Sequence, residues 1–167
     1  MTISMHSASA PIFTRMLTNL LAWLDKAEAH AAARKFDTAN YLGLRLAPDM
    51  LPLVRQIQIA SDACKGAVAR LAGVEPPKWA DDEATLGELR ARIRKTIEYA
   101  QSIPASQFDG SETREIALPV PGAPRVSGEV FLKSFSLPNF FFHVTMAYAL
   151  LRQGGVELGK RDYLGAP

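Results

Sequence analysis

One cysteine in 167 residues, Cys64, excludes an intrachain disulfide, and with it the small stapled folds of secreted domains. There is almost no excess of either charge: nineteen basic against seventeen acidic residues leave a formal +2. A dedicated nucleic-acid surface needs basic residues gathered on one side, so no nucleic-acid partner is expected. No apolar run approaches the length of a membrane span, so no membrane partner is expected either. The opening MTISMHSASAPIF lacks the charged start and apolar centre of a signal peptide. The expectation is a reduced, cytoplasmic protein. No glycine-rich phosphate loop precedes a helix, and no serine sits in a nucleophile elbow.

What is present is helical periodicity, enough for one domain over 1–167. Ile12, Met16, Leu20, Leu24, Ala27 and Ala31 recur at steps of three and four, predicting a first helix that starts between Ser4 and Ala10 and ends near Arg34. A short turn of helix is expected near Thr38–Tyr41, then an extended piece to Pro48. The second helix is expected to open at Asp49 as its cap, with Pro52 in the first turn and Leu53, Ile57, Ala60, Cys64, Ala67 and Leu71 inward. Gly73 stops it. Thr85 and Glu88 form a capping box for the third helix, which faces Leu86, Leu89, Ile93, Ile97 and Ala100 inward. Arg90, Arg92, Arg94 and Lys95, set among Glu83, Glu88 and Glu98, read as its solvated face.

Residues 113–131 change to a period of two. They predict a β-hairpin turning at Val120-Pro121-Gly122-Ala123, with Ser127 as cap of a short helix from Gly128 to about Ser134. The last helix is expected to start near Pro138, a suitable first-turn residue, and to run to Gln153, ended by Gly154-Gly155. It carries two apolar stripes, one through Phe140, Phe141, Val144, Tyr148 and Leu151, the other through Phe142, Met146 and Ala149. A helix apolar on both sides is buried on both. The second stripe therefore meets the hairpin, the 37–48 connection or a second copy of the chain. The fold class is all-α: a four-helix bundle with a β-hairpin inserted before the last helix.

The chemistry concentrates on one strip of that helix. His143 flanks the main stripe, and Asn139 lies one turn before it on the same side. They set two polar groups beside a wall of phenylalanine. Of the other histidines, His6 lies at or before the start of helix one and His30 near its end, too far apart to share a site. His30 reads as an exposed residue of the last turn. Asp62 reads as solvent-facing, Tyr148 as packed with its hydroxyl satisfied, and Cys64 as a small core residue rather than a nucleophile.

The stretches LAPDMLPLVRQIQIASDACKGAVARLAGV, LPNFFFHVTMAYALLR and GVELGKRDYLG resemble an uncharacterised bacterial family, a domain of unknown function, over nearly the whole chain. That family is similar to the DinB/YfiT-like superfamily of up-down-down-up bundles. The resemblance implies a homodimer, and a divalent metal such as zinc or nickel held by three histidines, one from the second helix and an H-x-x-x-H pair from the last. It implies thiol-dependent transferase or hydrolase chemistry in some members. Carried over residue by residue, His143 takes the place of the second histidine of the pair, Asn139 that of the first, and Gln56 or Gln58 that of the third. One imidazole with two neutral amides grips a dication weakly. No metal is therefore expected, and His143 is its only firm ligand if one binds. Three readings stand: a polar notch of Asn139, His143 and Gln56 or Gln58, walled by Phe140 and Phe141, that has lost its metal and binds a small molecule; a structural His143 that donates to a backbone carbonyl or to Gln56, in a protein working through its surfaces as a dimer joined through Phe142, Met146 and Ala149; or a metal-dependent enzyme with Asp49 or Asp62 completing the ligand set.

Overall fold

The computed structural model describes residues 3–119 and 121–165. Four long helices carry the fold: α1 (Ala10–Arg34), α3 (Leu53–Ala72), α4 (Leu86–Ser102) and α6 (Leu137–Gln153). The single-turn α2 (Ala39–Leu42) lies between the first two. A 3₁₀ turn at Ala105–Phe108 leads to a two-stranded hairpin, β1 (Glu115–Ala117) and β2 (Arg125–Ser127), with Ile116 opposite Val126. Then α5 (Gly128–Val130) runs into a wide-turned π segment, Phe131–Ser136, and on into α6; α7 (Lys160–Leu164) closes the chain.

Side-chain partners give the helix directions. Phe13 meets Phe140 and Trp23 meets Tyr148, so α1 and α6 run parallel. Arg55 reaches Asp81 just before α4, and Asp62 reaches Arg92 further along it, so α3 and α4 are parallel. Arg90, early in α4, binds Asp25 and Glu28, late in α1, so that pair is antiparallel. The order is up-down-down-up, around one core that includes Phe13, Leu20, Ile57, Cys64, Ile93, Phe140 and Val144.

Several boundaries follow the expected chemistry. Thr85 Oγ1 accepts the Glu88 N–H at 3.1 Å, and Glu88 reaches back to the Ala84 N–H at 2.7 Å. Gly73 ends α3 in the left-handed region, at φ 76°.

Other expectations are corrected. Asp49 does not cap α3; Pro52 occupies the cap position, and Leu53 N–H donates to the Leu44 carbonyl. The last helix does start beside Pro138, which lies in its first turn, but it has no free end there: helical backbone is continuous from Gly128 to Gln153, with the π segment ending at Ser136. A proline inside an α-helix lacks an N–H and presses its ring on the carbonyl four residues back. The wider turn there relieves that conflict. The hairpin is present, but its connection spans more than a tight turn; of the expected turn residues, Val120 lies outside the described ones.

The basic cluster of α4 is not a solvated face throughout. The Arg92 side chain is 2% exposed and binds Asp62 and Asp81 at 2.8 Å and Glu83 at 3.0 Å. The Arg90 side chain is also largely covered. Their partners come from α1, α3 and the 78–85 connection, so Asp62 is engaged rather than free in solvent. His30 is not a free terminal-turn side chain: its Nδ1 lies 2.6 Å from the Tyr41 hydroxyl and its ring packs on Phe36.

Candidate functional site

The site region is the seam where α3 and α6 pass antiparallel. His143 is only 8% exposed. Its Nδ1 lies 2.7 Å from Gln56 Oε1, and Gln56 Nε2 donates to the Leu51 carbonyl at 3.0 Å. Because the amide nitrogen is engaged with a carbonyl, the oxygen faces the ring. The imidazole must therefore carry its proton on Nδ1, which leaves Nε2 as an acceptor. Burial holds the His143 pKa below the ordinary histidine value, so the ring is neutral at neutral pH.

The structure brings His143 and Gln56 together and separates the other two residues of the expected notch. Gln58 is also buried, but two residues on along α3 it points to a different side. It takes Arg55 at 2.7 Å and gives its amide to Glu83 at 2.8 Å, within the Arg92 charge cluster. Asn139, one turn before His143, is half-buried and lines a cavity of about 370 Å³ between α3 and the π segment. The aromatic walls of that cavity are Phe131 and Phe135, stacked 6.0 Å apart, and not Phe140 and Phe141. Phe140 is instead wholly buried against Phe13.

Three polar residues of the cavity were not singled out from sequence. Ser136 is 3% exposed, and its hydroxyl has no hydrogen-bond partner among the described residues. Lys65 ties Asp62 at 2.6 Å and lies over the Trp79 ring. Arg70 folds back to the Gly66 carbonyl at 3.0 Å. A signal for Arg70 was available. Gly66 sits four residues earlier, in mid-helix, where glycine is about 1 kcal/mol worse than alanine. A Cβ there would stand 2.6 Å from Arg70 Nη1.

The second stripe of α6 is open in the single chain. Phe142 is 52% exposed, so neither the hairpin nor the 37–48 connection covers it, and Met146 and Ala149 are half-buried. Tyr148 does satisfy its hydroxyl, on the Leu158 carbonyl at 3.3 Å. Cys64 is fully buried in the core, and burial pushes its thiol well above the usual range, the wrong direction for a nucleophile.

The donor set does not fit a three-ligand metal centre. Among the described residues no three His, Cys, Asp or Glu side chains gather where they could hold an ion. Gln56, the amide nearest His143, has its oxygen and nitrogen already committed. Asp62 is held by Lys65 and Arg92, and Asp49 lies in the connection before α3. Among the described residues no helix is long and apolar enough to cross a membrane.

Comparison with known proteins agrees with the helical fold. No curated protein sequence matches the chain. A crystal structure of a DinB family member protein from Shewanella denitrificans superposes with a TM-score of 0.92 at 42% identity, over 97% of this chain and 92% of that one. The family model described as a domain of unknown function (DUF1993) matches residues 5–164. The chain therefore belongs to this DinB-like family of unknown function.

Proposed function

We propose that the protein is a small-molecule-binding bundle whose site is the α3–α6 seam, with no three-histidine metal centre. The observation that carries this reading is the cavity of about 370 Å³ into which Ser136 and Asn139 bring polar groups without protein partners. Polar groups that converge on a cavity without a protein partner are a usual mark of a small-molecule site. In this reading the His143–Gln56 pair closes the seam one turn away and fixes the two helices in register. The same proposal sets the protein in the cytoplasm, where a lone reduced thiol such as Cys64 is at home. A fragment screen followed by amide NMR tests the pocket. Shifts should cluster on Lys65, Ser136 and Asn139, and a screen that never moves them overturns it. Metal analysis of the purified protein tests the alternative, a metal-dependent transferase or hydrolase with altered ligands. Stoichiometric metal that disappears in His143→Ala would replace our reading.

One observation favours a second, compatible reading. The exposed Phe142 continues into Met146 and Ala149 on one side of α6, a stripe suited to an isologous contact between two copies. Met146→Glu should then convert a dimer to a monomer by light scattering, and an unchanged mass removes this reading.

A further inference from the structure

The same cavity carries an electrostatic asymmetry. Around it, Asp62 is shared by Lys65 and Arg92, Asp81 by Arg55 and Arg92, and Glu83 by Arg92 and the Gln58 amide. Three carboxylates therefore meet three cations, and that cluster is neutral within itself. Arg70 stands outside it. Among the described residues it forms no salt bridge, its one protein hydrogen bond is to the Gly66 carbonyl, and Glu75 acts on it only at longer range. A guanidinium has five N–H donors in a planar fork. Most of this fork is therefore uncommitted at the cavity wall.

The opposite wall is apolar and stiff. Phe131 and Phe135 stack at an interplanar angle of 18°, and Pro76 and Pro119 border them. The π segment brings both rings and the unpartnered Ser136 hydroxyl to one side, and π-turns recur at binding sites. Gly66 keeps the guanidinium close to the α3 backbone, because any side chain there would displace it.

Resting on the pocket reading above, we propose that the cavity takes a small organic anion: a carboxylate on a flat or short aliphatic apolar body. Arg70 binds the carboxylate through its free donors. Ser136 and Asn139 complete its hydrogen bonds, and the body lies against Phe131 and Phe135. Fork-to-carboxylate pairing is the strong form of hydrogen bonding, and it discriminates against a neutral amide of the same shape.

The probes are 3-phenylpropionate and its neutral counterpart 3-phenylpropionamide, titrated into the full chain with backbone amides followed by NMR. The acid should shift Ser136, Asn139 and Arg70 and bind about tenfold more tightly than the amide. Arg70→Gln should erase that difference while leaving amide binding in place, and Arg70→Lys should keep part of it. If Arg70→Gln does not fold, the acid-to-amide ratio in the unmodified chain decides alone. Equal affinities within the cavity overturn the anion assignment and leave the pocket reading standing. Millimolar probe that moves no cavity amide, or moves only residues elsewhere, overturns both.

Discussion

Replacing Gln56 by leucine isolates the contact on which His143 depends. Gln56 takes the imidazole N–H at 2.7 Å and donates to the Leu51 carbonyl at 3.0 Å. Leucine keeps much of the volume and makes neither bond. The lost imidazole bond is worth about 1 kcal/mol net. The Nδ1–H, on a side chain almost closed to water, is then orphaned, which adds about 1–2 kcal/mol. Leu51 is exposed, so water takes over its carbonyl and the second bond adds little. The expected loss is therefore about 2–3 kcal/mol, or roughly 4–12 °C in Tm for a chain of this size. Urea unfolding followed by circular dichroism measures it. Adding His143→Leu makes both partners apolar, so the double variant should lose about 1–2 kcal/mol less than the two single losses together. The pH dependence adds a further check. The folded pKa of His143 is depressed by burial. Between that pKa and about 6.5, the usual histidine value, the unfolded chain binds a proton that the folded one refuses. His143's contribution is thus complete above about pH 6.5 and is lost as pH falls toward the folded pKa, and His143→Leu should flatten this part of the profile. A loss below about 0.5 kcal/mol for Gln56→Leu, or simple additivity in the double variant, refutes the pairing as a structural clamp.

Three further outcomes follow from other contacts. Arg92→Ala strips the shared cation from Asp62, Asp81 and Glu83 and should cost about 3 kcal/mol, the low end for breaking a buried pair, because two of those carboxylates stay partly in water; thermal unfolding that shifts by less than about 2 °C would count against it. Gly128→Ala should destabilise by about 3 kcal/mol or prevent folding, since a Cβ there would stand 1.9 Å from the Ser111 carbonyl oxygen; wild-type urea stability in this variant would contradict the close approach. Cys64 should resist a thiol reagent such as dithionitrobenzoate until the chain unfolds, and prompt labelling of native protein would show that the core opens more readily than its packing implies.

The long helices and most of their ends were legible because their causes are local. Apolar spacing, the Thr85–Glu88 box and Gly73 act within one or two turns. What was missed depends on partners distant in sequence. Periodicity cannot distinguish an arginine facing water from one facing carboxylates, and Arg92 finds Asp62 thirty residues back across the α3–α4 interface. His30 meets Tyr41 only because the chain doubles back through α2. Of the two glutamines set against the strip of Asn139 and His143, Gln56 meets His143 and Gln58 turns to Glu83. Placing Asn139 in a cavity of its own required the π segment. That segment was hidden because Pro138 reads equally well as the start of a helix and as an interruption within one.

The interruption is also the strongest argument that the seam serves a purpose beyond packing. A regular helix with alanine at 136 and leucine at 139 would close against α3 more cheaply. The chain instead keeps a serine at 136 whose hydroxyl has no protein partner among the described residues and lines the cavity. It places a glycine in mid-α3, which costs helix stability, and thereby seats an arginine whose donors are mostly free. Together these residues surround one cavity, and a carboxylate there would satisfy the hydroxyl and the guanidinium at once. If that is their reason, Gly66→Ala should leave the fold as stable or slightly more stable, by up to about 1 kcal/mol from helix propensity, while weakening acid binding as Arg70 is displaced. Unchanged acid affinity in Gly66→Ala would show that the glycine does not seat the arginine for binding.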